Sequence, residues 1–197
     1  MQDTARRSST RRTAVRALAL GLAANLALAT VVLAAAAGPG YVDVVDWSAD
    51  NQGQNGVRLT VTTDGAIPKQ PDDFINSNAI VGFGWVDGAT GKALVATIHP
   101  VIGRDSNQRP DSWHLHTVTL SLVDPDGGAA GTDDACIVSI DSTPTAGINV
   151  QGSLLSVNLD RSRMPAGIDA GDIDLATGFT VHPNAGCGSG LGVRIRT

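Results

Sequence analysis

The stretch "WHLHTVTLSLV" (Trp113–Val123) decides the fold, because its residues alternate in character with a period of two. Side chains of a β-strand point alternately to opposite faces. His114 and His116 therefore share a face with three apolar residues further along, Val118, Leu120 and Leu122. The pattern predicts a long strand whose two histidines point toward the core, at one end of it.

Similar runs recur along the chain, separated by turn residues, and give about nine or ten strands in all. They are "YVDVVDW" (41–47), "GVRLTVTT" (56–63), "AIVGFGWV" (79–86), "KALVATI" (92–98), "ACIVSID" (135–141), a hairpin "INVQGSLLSVNLD" (148–160), "GFTVHP" (178–183) and "LGVRIRT" (191–197). The segment 161–178 is rich in glycine and is expected to form a loop or a single turn. We predict an all-β fold, a single antiparallel β-sandwich, with a small β-barrel as the alternative.

The composition agrees with this fold class. All 19 acidic residues are aspartate, and the chain also contains 23 glycines. Glutamate is a good helix former, whereas aspartate favours turns and caps. The missing glutamate therefore favours strands and turns over helices.

The N-terminal 37 residues have the features of a secretory signal peptide. Five arginines precede the uncharged run "ALALGLAANLALATVVLAAAA", which ends in small residues. The run is also long enough for a membrane anchor, but it consists mostly of alanine, and we favour cleavage near Ala37. Residues 38–197 would then form a single all-β domain, secreted or held at the cell surface.

The charge of this domain limits its partners. Without the first 37 residues, nine lysines and arginines face 18 aspartates, which gives a net charge of −9. An acidic surface disfavours binding to nucleic acid and to anionic membranes. A metal ion or a small extracellular ligand remains compatible with it.

The two cysteines, Cys136 and Cys187, are predicted to form a disulfide, as paired cysteines in exported proteins usually do. The alternative is that both are metal ligands. Neither cysteine, however, has the C-x-x-C partner that is typical of zinc sites.

The four histidines are candidate ligands for zinc or copper: His114, His116, His99 and His182. His99 and His182 each lie in a Thr-(Ile/Val)-His-Pro sequence at a predicted strand end. If Phe179 and Val181 face the core, alternation points His182 to solvent, which favours a narrower site without it. Asp111 and Arg109, just before the histidine strand, are candidates to orient the imidazoles. The alternative is that the histidines bind no metal and form hydrogen bonds within the fold.

The pair His114-Leu115-His116 resembles the paired metal ligands on a strand of the alpha-class carbonic anhydrases. It also resembles the His-x-His of the copper–zinc superoxide dismutases, and "NAGCGSGLG" (Asn184 to Gly192) is similar to a segment of their tails. Both resemblances imply a metal bound by His114 and His116. Each spans a few residues, the chain is shorter than the anhydrases, and it lacks the dismutase zinc cluster, so neither family is assigned.

These observations give two functional hypotheses. The first is an exported, disulfide-bonded domain with a non-enzymatic binding or surface-structural role, with or without zinc or copper on the His-x-His strand. The second is a small secreted metalloenzyme with an open His-ligated site. The G-x-S-x-G and H-E-x-x-H motifs of serine hydrolases and zinc peptidases are absent from the sequence.

Overall fold

The computed structural model describes residues 40–69, 80–99, 112–125 and 133–196. The leader (1–37), Arg109 and Asp111 lie outside the described residues. The described part forms ten strands: β1 (Val44–Gln52), β2 (Gly56–Thr63), β3 (Ile80–Asp87), β4 (Lys92–Ile98), β5 (His114–Ser121), β6 (Ala135–Ser142), β7 (Gly147–Gln151), β8 (Leu154–Asp160), β9 (Leu175–Pro183) and β10 (Leu191–Arg196). All of them belong to one compact unit, Gly38–Thr197.

The strands form two antiparallel sheets. One is a four-stranded sheet in the order β1-β2-β8-β7, and the other is a closed barrel in the order β10-β6-β5-β4-β3-β9. The prediction of an all-β, antiparallel fold is confirmed. The molecule combines features of both predicted alternatives, because two sheets pack face to face and one of them closes on itself.

The main core lies between the open sheet and the outer wall of the barrel. Val57, Leu59 and Val61 alternate along β2 with more exposed residues and pack against barrel residues that include Trp85 and Leu94. The indole Nε1 of Trp85 donates a hydrogen bond to the Thr60 carbonyl oxygen at 3.2 Å, which ties the two layers together. This alternation buries one face of β2, as the sequence predicted.

The barrel strands are apolar on both faces. In β3 every residue after Ile80 is buried. Phe83 and Trp85 point outward into the main core, while Gly84 and Val86 line the inside of the barrel. We call this inner space the lumen; its volume is about 180 Å³, and its wall contains residues from all six barrel strands.

The barrel closes at a short seam between β6 and β10. Only two residue pairs join these strands, Gly192 with Cys136 and Val193 with Ala135. Beside this seam, Cys136 and Cys187 form the predicted disulfide, with 5.4 Å between their Cα atoms. A covalent bond therefore supports the part of the barrel that has the fewest paired residues.

The glycine-rich segment after β8 forms two short 3-10 turns, Arg161–Arg163 and Ala170–Asp172. Aspartates cap both: Asp160 accepts from the Ser162 N–H, and Asp169 and Asp172 form a capping box. The expected loop or turn is confirmed for residues 161–174, and the last residues of the segment belong to β9. Within the described ranges, no helix has the length and apolar character needed to cross a membrane.

Candidate metal centre

Three histidines meet at one end of the lumen. On the paired strands β4 and β5, Val95 lies opposite His116 and Thr97 lies opposite His114. His99 follows directly after β4 and continues the inward-facing series of Val95 and Thr97. One nitrogen atom from each of His99, His114 and His116 lies within 4.8 Å of the other two. We refer to these three residues as the histidine cluster.

The cluster is buried. The exposed fractions of His99, His114 and His116 are 4%, 7% and 4%. The rings of His99 and His116 stack with 5.8 Å between their centroids, and the His114 ring stands edge-on to both. The three rings are therefore grouped inside the fold and are not spread over its surface.

Hydrogen bonding fixes the tautomer of His114. Its Nδ1 lies 3.0 Å from the Ser112 carbonyl oxygen, which can only accept, so Nδ1 carries the hydrogen. In the neutral ring the lone pair is then on Nε2, which lies 3.0 Å from Nε2 of His99. With both rings neutral, His99 Nε2 donates to His114 Nε2. A metal ion would replace this shared proton.

The ring of His116 is held by a residue that follows β6. Its Nδ1 lies 3.1 Å from Oγ1 of Thr143. In metal sites, the second nitrogen of a ligating histidine usually bonds to a group that fixes the ring's orientation. The Ser112 carbonyl and the Thr143 hydroxyl are in position to do this for two of the three rings.

The spacing of the three nitrogens is compatible with a zinc or a copper ion. With metal–nitrogen bonds of about 2.0–2.1 Å, ligand nitrogens in such a site lie roughly 3.3 Å apart. The His99–His114 separation of 3.0 Å is close to that value. All three nitrogens lie within 4.8 Å of one another, so metal binding would draw them together by up to about 1.5 Å. Imidazole is a good ligand for both metals. Three protein ligands leave one coordination position for another group.

The cluster borders the lumen, because His99 and His116 form part of the lumen wall. The wall next to them is apolar, with Val95 and Val118 as neighbours on the same strands. The cluster is therefore the polar end of an apolar cavity.

His182 lies apart from the cluster. Phe179 and Val181 line the lumen, so alternation places His182 on the outer face of β9, where its Nε2 lies 2.8 Å from Thr180 Oγ1. Partial burial, followed by the nearby positive charge of Arg194, lowers the pKa of His182. The structure brings together three of the four predicted ligands and not the fourth.

Two residues that orient the cluster were not singled out in the sequence. Ser112 lies two residues before β5, but its contribution is a backbone carbonyl, which any residue type provides. Thr143 reaches His116 because β6 pairs with β5 through two register irregularities. The alternation of residues within one strand does not predict this contact, because His116 and Thr143 belong to different parts of the chain.

Comparisons with protein-family models, curated proteins and solved structures find no match to this chain. The chemistry of the histidine cluster is therefore inferred from its geometry.

Proposed function

We propose that this protein is an extracytoplasmic metal-binding domain that holds one Zn²⁺ or Cu²⁺ ion through His99, His114 and His116. The observation that carries the proposal is the convergence of three buried imidazoles, with one nitrogen of each within 4.8 Å of the others. Metal ligation would bind all three nitrogens at once.

The extracytoplasmic location is supported by two features. A disulfide joins Cys136 and Cys187, and such bonds form and persist mainly outside the cytoplasm. The basic and apolar leader in residues 1–37 has the composition of an export signal. The excess of aspartate supports a metal ion or a small molecule as the partner, in preference to nucleic acid or an anionic membrane.

Metal analysis tests the proposal. The full chain is expressed into an oxidising compartment, purified, and analysed for bound metal by mass spectrometry after incubation with zinc or copper. We expect one ion per chain. His114→Ala should lose it, whereas His182→Ala, a matched loss of a histidine outside the cluster, should keep it. Absence of bound zinc and copper in the wild type, or equal binding by His114→Ala, contradicts the proposal.

A second candidate function is that of a small metalloenzyme, favoured by the position of the cluster on the lumen wall. A zinc ion with three histidine ligands can lower the pKa of a bound water to about 7 and so supply hydroxide. Asp111 is the candidate base or orienting residue from the sequence. Zinc-dependent hydrolysis of p-nitrophenyl acetate, lost in His114→Ala, supports this function; a rate equal to that of free zinc excludes it for this substrate.

A further inference from the structure

The lumen has the dimensions of a binding cavity for a small molecule. Its volume is about 180 Å³. An engineered apolar cavity of about 150 Å³ in another protein binds benzene. A molecule of roughly six to ten non-hydrogen atoms is therefore the size that the lumen would take.

The wall of the lumen is almost entirely apolar. Val118, Leu120, Phe179 and Val193 are typical of the residues that form it. The described lining residues include no aspartate, lysine or arginine. An occupant therefore needs an apolar body, because a polar group facing this wall would lose its hydrogen bonds to water.

Polar recognition is available at the histidine end. Thr97 and Thr177 also line the lumen, but their hydroxyls donate to the backbone oxygens of Val81 and of Arg196. The cluster residues His99 and His116 are the remaining polar side chains among the described lining residues. A head group on the occupant would therefore be recognised at the cluster.

Charge determines the kind of head group. Three neutral imidazoles around a divalent metal leave two positive charges at the end of an apolar cavity. Burying such charge without a counter-ion is unfavourable. The described histidine cluster contains no aspartate that would supply the negative charge. The fourth ligand is therefore expected to be an anion.

We infer that the lumen binds a small apolar carboxylate, with its tail between the barrel strands and its carboxylate on the metal held by the histidine cluster. This inference rests on the proposed metal site, because the metal supplies the charge that attracts the head group. It assigns to that site a ligand class and an orientation.

Part of the lumen wall is exposed to solvent, at Ile140 of β6 and at the end opposite the cluster. Leu122 and Leu175 line it and are 45% and 41% exposed. Along the chain, Leu122 lies six residues beyond His116, which corresponds to about 20 Å in an extended strand. The tail of a bound carboxylate would point toward this exposed apolar rim.

The first test compares three probes on the full chain loaded with zinc or with cobalt(II): hexanoate, acetate and 1-hexanol. Each buried methylene strengthens binding by roughly fourfold, so the four additional methylenes of hexanoate predict binding on the order of 100-fold tighter than acetate. Hexanoate should also change the visible spectrum of the cobalt form, and hexanol should leave it unchanged. The metal-free protein should bind hexanoate weakly, since no positive side chain lines the described part of the lumen.

The second test fills the lumen. Val118→Phe places a larger side chain beside His116 on the inner face, and Val138→Phe makes the same change at an exposed position of β6 that does not line the lumen. We expect Val118→Phe to keep the metal and to lose at least tenfold in hexanoate affinity, while Val138→Phe retains the wild-type affinity. If Val118→Phe does not fold, the comparison of hexanoate, acetate and 1-hexanol on the wild-type protein tests the carboxylate inference by itself.

The outcomes separate the two proposals. If no metal binds, both the metal site and the carboxylate inference fail. If metal binds but hexanoate binds no tighter than acetate, or binds equally well without metal, the metal site stands and the carboxylate inference is overturned. Wild-type hexanoate affinity in a folded Val118→Phe variant also overturns it.

Discussion

Among single residues, Thr143 is in position to orient His116, because its hydroxyl lies 3.1 Å from Nδ1 of that histidine. We expect Thr143→Val, which keeps the shape and removes the hydroxyl, to weaken zinc affinity by roughly 10- to 100-fold. Competition with a chromophoric chelator measures this affinity. Thr145→Val is the matched control, because Thr145 is exposed and its described contact with Arg163 uses the backbone carbonyl. Equal affinities in the two variants would show that Thr143 does not position His116.

His182 is expected to destabilise the fold at acidic pH. The pKa of His182 in the folded protein lies below the ordinary histidine value of about 6.5, mainly because of burial and then because of Arg194. The unfolded chain therefore binds the proton more tightly, and stability declines as the pH falls below the unfolded pKa. Above that pKa, the residue contributes no pH dependence.

We predict that His182→Gln loses less stability than the wild type between pH 7.5 and pH 5. Urea unfolding at both pH values measures the difference, because the two proteins differ only at residue 182. Parallel declines in the two proteins would mean that protonation of His182 is not linked to folding.

Most of the site follows from strand alternation. The rule placed His114 and His116 on the face of Val118 and pointed His182 away from Phe179. The structure agrees in each case. What alternation does not provide is the distance between strands that are far apart in sequence, so neither Thr143 nor the lumen could be recognised from the sequence.

At the scale of elements, the β3–β4 hairpin depends on Gly91. Its φ is +70°, a conformation that costs other residues about 1 kcal/mol or more. Its carbonyl accepts from the Leu120 N–H at 2.7 Å, and an added Cβ would lie against the Leu120 carbonyl oxygen. The turn is therefore packed against β5.

We expect Gly91→Ala to reduce the free energy of unfolding by clearly more than Gly152→Ala. Gly152 also has a positive φ, +58°, but an added Cβ there meets no atom within 4 Å. The control therefore reports backbone strain alone, at about 1 kcal/mol. Urea unfolding of both variants gives the comparison. Equal losses would mean that the Leu120 carbonyl moves aside at no measurable cost.

The strands themselves were predictable because each is marked locally. "GVRLTVTT" alternates and forms one wall of the main core, and "DGATG" forms the turn between β3 and β4. The near-continuous apolar run "AIVGFGWV" is typical of a strand that is buried on both faces. The sequence does not tell which residues of this strand face the main core and which face the lumen, because both environments are apolar.

For the whole molecule, the disulfide is expected to contribute strongly to stability. It closes a loop with a sequence separation of 51 residues, for which the chain-entropy estimate is about 4 kcal/mol. We predict a comparable loss in the free energy of unfolding when the wild type is reduced. In the Cys136→Ser/Cys187→Ser variant, adding reductant should not change the free energy of unfolding. A reduced wild type that is as stable as the oxidised form contradicts the prediction.

Closure of the barrel is the global feature that the sequence did not reveal. The order of the six strands depends on the pairing of β6 with β10, whose residues are more than fifty positions apart and form two residue pairs. A pairing this short leaves little pattern in either strand. The choice between sandwich and barrel therefore depended on contacts that local periodicity does not encode.

The closed seam also removes two sheet edges from contact with other chains. If the β6–β10 pairing opened, both strands would present unpaired N–H and C=O groups, with Val138 and Ile140 already exposed on β6. Such an edge is a template for strand addition by a neighbouring molecule. A chain that stays reduced during synthesis would then be prone to self-association, so oxidation of Cys136 and Cys187 acts as a safeguard against aggregation as well as a source of stability.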